Sequence, residues 1–230
     1  MYGAWKDWDG TPLAERPAFY HGCTDAGVEA VEGMQSEAVA VIDALCARLG
    51  LPYPRELKDI RADLAVCYGD AVSDPSTLGS LLRTNKAYDG IMQPMKPAPG
   101  GGGMVPDWGA RVLTEDVPCG LCALRGAAEV LGVPTPWVDR VMEWAQARMG
   151  KEYLVGGRMV GRDVGETDAP QAFGEKAPED LLLLRGPQEP PAGAPPPRRA
   201  AEPEAPCALA PASAAAAAAM AERAPLVFSH

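Results

Sequence analysis

The chain has 230 residues, 47% of them hydrophobic, with 24 prolines, 25 glycines and a formal net charge of −10. Such an acidic balance argues against a nucleic-acid partner, because phosphate binding draws on Lys and Arg releasing counterions. The longest apolar run, Ala214 to Ala219, falls far short of the ~20 residues of a membrane span, the first ten residues carry no signal core and six cysteines are too few for a disulfide framework, so a cytoplasmic protein with free thiols is expected.

In chain order, the first strong pattern is Val28, Val31, Gln35, Ala38, Ile42, Leu45 and Leu49. This three-or-four spacing predicts one face of a long amphipathic helix. Thr24 or Asp25 caps it, and Gly50 with Pro52 stops it. Leu57, Ile60, Leu64 and Tyr68 predict a second helix. Asp74-Pro75 sets an N-cap and first turn for a third, with Leu78, Leu81 and Leu82 on its face. From Gln93 to Gly109 the chain reads as a loop containing Gly100 to Gly103. A fourth helix opens at Asp116-Val117-Pro118 and runs to Gly132, and a fifth opens at Thr135-Pro136 and ends at Gly150. No strand alternation of any length competes, so the fold class is all-α, a helical bundle-like domain over residues 1–180. Near residue 187 the composition turns to Pro, Ala and Glu. Residues 181–230 therefore read as a low-complexity, disordered tail that cannot bury enough apolar surface to offset its ordering entropy.

Three groups of residues are candidates for chemistry. Cys119-Gly120-Leu121-Cys122 has redox spacing, but a thioredoxin-like site needs a preceding strand and a zinc site needs more ligands. Buried or incidental thiols are the favoured reading, and no metal is expected. The string Arg111-Val112-Leu113-Thr114-Glu115-Asp116 places one cation and two carboxylates where the glycine loop meets a helix. An arginine there suits bidentate capture of a substrate carboxylate, while Asp116 serves equally well as a helix N-cap. His21 is a lone imidazole with no partner in sight. The five tryptophans, at 5, 8, 108, 137 and 144, suit core packing, with Trp137 and Trp144 on one helical face.

Arg111 to Leu121 resembles the R-x-L-T-E-D-[VI]-P-x-G-L block of the octopine/nopaline (opine) dehydrogenase family. Gly132-Val133-Pro134-Thr135-Pro136 with Val138-Asp139 is similar to a second family block. Lys151 to Val155, Met1 to Gly10, Phe19-Tyr20, Thr84-Asn85 with Tyr88, and Pro94-Met95 are similar to animal-type octopine and tauropine dehydrogenases. The resemblance covers about residues 1–180. It implies the helical, substrate-binding domain of an oxidoreductase that condenses an α-keto acid such as pyruvate with an amino acid, using NAD or NADP. By the same resemblance Arg111 binds the keto-acid carboxylate, and Asp116 is the catalytic-site carboxylate that orients a histidine.

The family histidine lies in a segment ahead of the point matched by Met1-Tyr2-Gly3, and His21 does not align with it. No G-x-G-x-x-G follows a strand to hold a pyrophosphate. The chain is therefore expected to be inactive alone, with nucleotide binding supplied by a Rossmann domain, on a separate subunit if the enzyme is split. A non-catalytic helical interaction protein is the alternative. Two residues depart from the family pattern: Cys119 stands where an aromatic is usual, and Gln93 where animal-type members usually have His.

Overall fold

The longest apolar stripe makes the longest element. Asp25–Leu49 is a 25-residue helix, α2, preceded by the short α1, Tyr2–Trp5; the computed structural model describes residues 1–52, 59–174, 177–178 and 181. Of the two candidate caps Thr24 is the one used, its hydroxyl accepting from the Gly27 amide. Gly50 ends the helix at φ 66, a left-handed conformation that costs glycine no Cβ clash. The next helix, α3 (Ile60–Tyr68), starts on Asp59, whose carboxylate accepts from the Ala62 amide. Leu57, expected in that helix, lies outside the described residues, as do 182–230, most of the expected tail.

α4 (Leu78–Thr84) begins later than the sequence suggests. Its N-cap is Thr77, which exchanges hydrogen bonds with Ser80 in a capping box. Asp74, the expected cap, instead accepts from the Ser76 amide at 2.9 Å in a turn ahead of the helix. Thr77 wins because a hydroxyl with a second hydroxyl three residues on satisfies two end amides together.

The expected loop from Gln93 to Gly109 contains a hairpin. β1 (Met95–Pro97) and β2 (Met104–Pro106) pair antiparallel, with Met95 opposite Pro106 and Pro97 opposite Met104. Strands of three residues, each carrying a proline, show no alternation in the sequence.

The fourth helix also needs correction. Helical geometry begins at Arg111 with α5 (Arg111–Thr114), passes through a π turn, Asp116–Leu121, and continues as α6 (Cys122–Leu131). Asp116 thus lies inside the helical run and makes no capping hydrogen bond. Pro118 has no N–H to donate to the Thr114 carbonyl, so the α ladder cannot pass through it. The wider turn is resumed when the Cys122 amide donates to the Val117 carbonyl, an i→i+5 bond.

α7 (Pro136–Met149) opens where expected, at Thr135-Pro136, and ends on Gly150. Its first amides are not satisfied locally. The carboxylate of Glu37, on α2, accepts from Trp137 N at 2.7 Å and Val138 N at 2.9 Å. Glu37 is buried, and an anion at this end of a helix is favoured by the peptide dipoles.

Two apolar clusters hold these elements. The larger joins Trp5, Leu113, Val117, Val138, Met142 and Trp144 with side chains of the segment after α7, among them Tyr153 and Met159. The smaller packs Leu78, Leu81, Leu82 and Tyr88 against Tyr20 and the start of α2. The tryptophans at 5, 8, 108 and 144 form an edge-to-face series with centroid spacings of 5.8–6.1 Å. Trp137 is half-buried, with the Arg140 guanidinium 4.3 Å from its ring centroid. The larger cluster also borders a buried charge. Arg125 on α6 donates from Nε to Asp139 on α7 and from Nη2 to the Gly157 carbonyl at 2.5 Å, and Glu129 lies 3.6 Å from Nη1. Among the described residues the fold is all-α apart from the hairpin. No helix among the described residues is long and apolar enough to cross a membrane.

Candidate functional site

α1, the first turns of α2, the α5–π turn junction and α7 surround a cavity of about 220 Å³. Its walls are mainly apolar, with Tyr20, Val31, Met34, Val117 and Trp144 among them. Polar side chains also line it, among them Thr24, Gln93 and Asp116. Concave apolar space with a few placed polar groups is the usual form of a small-molecule site.

The π turn is what brings Asp116 here. Its neighbours Leu113 and Val117 are buried in the main cluster, which fixes the backbone, while the Asp116 carboxylate sits at the mouth of the cavity beside Glu115, Cys119 and Gly120. Partial desolvation raises the Asp116 carboxyl above its ordinary value, the Glu115 carboxylate adds to the rise, and Arg111 opposes it.

A carboxyl with a raised folded-state value holds its proton more tightly when folded. Ionising it as the pH rises past the ordinary 3.8 therefore lowers stability. Asp116→Asn is expected to raise the thermal midpoint at neutral pH, and the gain should fade as the pH falls below that value. Paired melting curves across pH check this, and a variant melting at or below the native chain at pH 7 would refute it.

Arg111 does not line the cavity. Its side chain is 69% exposed, and it grips Glu115 across one helical turn, Nε to Oε1 at 2.6 Å and Nη2 to Oε2 at 2.5 Å. Asp116 thus lines the cavity, and Arg111, five residues earlier, acts on it electrostatically from outside the wall. His21 is not part of this arrangement. Its Nε2 is 2.9 Å from the Asn85 carbonyl and its Nδ1 3.7 Å from the Asp89 carboxylate, partners that sequence distance concealed.

The two cysteines of the CxxC differ. Burial pushes the Cys122 thiol up to about 12, and desolvation with nearby Asp168 raises that of exposed Cys119. Both are held as thiols at neutral pH, the opposite of an activated thiolate. Among the described residues no three His, Cys, Asp or Glu side chains gather as metal ligands.

A dinucleotide also finds no fit among the described residues. Gly100 to Gly103 lie in the hairpin between β1 and β2, whereas a pyrophosphate loop needs a helix opening directly behind the glycines.

The family model for the α-helical domain of NAD/NADP octopine/nopaline dehydrogenase matches residues 8–149. The chain belongs to the octopine/nopaline dehydrogenase family. It is 38% identical over 183 residues to tauropine dehydrogenase of Arabella iricolor, covering 79% of this chain and 46% of that protein. To opine dehydrogenase of Haliotis discus hannai it is 40% identical over 193 residues, covering 80% and 45%. The structure of octopine dehydrogenase with NADH and L-arginine matches with a TM-score of 0.75 and 35% identity, over 82% of this chain and 46% of that one. The chain thus spans about half the length of these opine dehydrogenases.

The sequence singles out Arg111 and Asp116 as candidates, of which Asp116 lines the cavity, but gives no signal for Tyr20, Met34 and Trp144 as its walls, since each reads as ordinary packing. Gln93 carried a signal only as a departure from the family pattern.

Proposed function

We propose that this chain is the substrate-binding half of an opine dehydrogenase-type oxidoreductase, which condenses an α-keto acid such as pyruvate with an amino acid. The observation that carries the reading is Asp116 at the mouth of an apolar cavity, under the electrostatic influence of Arg111, in a chain of this family. The Arg111 guanidinium is held in a fork geometry by Glu115, which suits bidentate exchange onto a keto-acid carboxylate. The Asp116 carboxylate accepts a hydrogen bond from an imidazole outside these residues and supports its positive charge, as a carboxylate does behind a histidine base. Reducing equivalents come from NADH or NADPH bound by a nucleotide-binding unit outside these 230 residues, on the same polypeptide or on a separate subunit. Residues 1–180 are the domain that carries the substrate function.

Octopine dehydrogenase has been solved with NADH and pyruvate, which supports pyruvate as the first probe. A ligand that binds only the folded state stabilises it by about 2.7 kcal/mol at a hundredfold excess over Kd. Pyruvate is therefore expected to raise the thermal midpoint of the chain, and Arg111→Ala is expected to abolish the rise. Equal protection of both proteins, or of neither, would overturn the assignment of Arg111. The purified chain alone is expected to show no NADH oxidation with pyruvate and an amino acid.

A further inference from the structure

The side chain of Gln93 is fixed in an unusual way. It is 3% exposed, and its Oε1 accepts from the indole Nε1 of Trp5, itself buried, at 3.0 Å. The backbone around it is held too, since Gln93 N donates to the Pro17 carbonyl at 2.8 Å. With the oxygen tied, the amide cannot flip without breaking a buried bond. Its Nε2, a double donor, is left for the cavity that Gln93 lines, and among the described residues it meets no protein acceptor.

Of the other polar groups along that wall Thr24 is already matched, while the buried indole Nε1 of Trp144 meets no acceptor among the described residues. Thr24 Oγ1 donates to the Gly3 carbonyl at 2.9 Å and accepts from Gly27 N at 3.1 Å. The cavity therefore offers an apolar body, an amide donor inside it and a carboxylate, Asp116, at its mouth. Its 220 Å³ exceeds the roughly 150 Å³ of an apolar cavity that admits benzene, room enough for an amino-acid side chain.

We propose that Gln93 is a specificity-determining residue, selecting an amino acid whose side chain is uncharged and ends in a hydrogen-bond acceptor. The inference rests on the function proposed above in taking the ligand to be an amino acid. The ammonium of such a ligand meets Asp116, its methylenes lie along Val31 and Met34, and its terminal acceptor takes the Nε2 hydrogens. A guanidinium has donors and no acceptor. It would face Gln93 donor to donor, with no carboxylate on the cavity wall besides Asp116. L-Arginine, present in the octopine dehydrogenase structure, is thus the side chain this wall excludes.

Titration calorimetry on the 230-residue chain, with pyruvate present, tests this with L-glutamine, L-norleucine and L-arginine. L-Glutamine is expected to bind at least about tenfold tighter than L-arginine, the scale of discrimination that one pocket contact supplies. Gln93→Leu is expected to erase the advantage of L-glutamine over L-norleucine. Gln93→Glu keeps an acceptor for Trp5 and is expected to shift preference toward L-arginine. Gln93→Met serves in place of Gln93→Leu if the latter melts below the native chain. L-Arginine binding as tightly as L-glutamine overturns the inference, and so does the absence of any amino-acid binding. If pyruvate still protects the chain in those cases, the proposed function stands and only the role of Gln93 falls. If pyruvate gives no protection while the L-glutamine preference and its loss in Gln93→Leu are seen, the proposed function falls and the role of Gln93 is upheld.

Discussion

Replacing Arg125 by Ala is expected to cost about 1.5–3 kcal/mol of folding stability, the range for a hydrogen bond to a charged group, because Asp139 keeps 28% of its side chain in solvent. The Arg125 side chain is 9% exposed and ties α6 to Asp139 on α7 and to the Gly157 carbonyl beyond it. Truncation leaves the Asp139 carboxylate and that carbonyl without their donor, and the loss of the stem opens space at the edge of the main cluster. The paired change Arg125→Met with Asp139→Leu is expected to cost less than the single one, because it removes both charges and refills the volume. Urea denaturation followed by circular dichroism gives both values. A double variant less stable than Arg125→Ala would show that the charges are a net gain to the fold.

Gly3→Ala is expected to destabilise by about 1–3 kcal/mol, the usual cost of forcing a methyl into a packed contact. A Cβ at position 3 would stand 2.2 Å from Gly27 Cα and 2.4 Å from Gly27 N, and those are backbone atoms that cannot rotate away. The reciprocal change is different. A Cβ at position 27 first meets Cys23 Sγ, at 3.2 Å, and lies 3.6 Å from Gly3 Cα. Alanine at 27 also gains up to about 1 kcal/mol of helix propensity over glycine, so Gly27→Ala is expected to be near neutral. Both residues line the cavity, so Gly3→Ala is expected to weaken pyruvate protection as well. Parallel melting curves of the two variants check the asymmetry, and equal losses would refute it.

The sequence carried the helices wherever caps and periodicity coincided. Thr24 with Gly50, and Thr135-Pro136 with Gly150, bound α2 and α7 as expected. It failed where local rules competed. Thr77 displaced Asp74 as a cap because its capping box satisfies two amides. The hairpin hid behind Pro97 and Pro106. Pro118, which reads as a helix start, instead interrupts a run already begun at Arg111. The candidate site divided in the same way. Arg111 and Asp116 stand out as candidates because they lie in one contiguous string, whereas the wall that Asp116 joins is drawn from residues 1 to 145. No spacing rule links Gln93 to Trp5 across 88 positions.

The start of α7 raises a question of timing. Thr135, the residue in the cap position, makes no side-chain cap bond, and the carboxylate that does the work sits 100 positions earlier. A helix whose first amides are satisfied only by a distant partner cannot be completed by the residues next to it. Closing so long a loop carries an entropy cost that local contacts do not, and folding slows as contacts become less local. The amino end of α7 should therefore lock late, after α2 has formed and docked. Until then this part of the chain, with Trp137 and Trp144 unburied, is where a folding intermediate would expose its apolar surface.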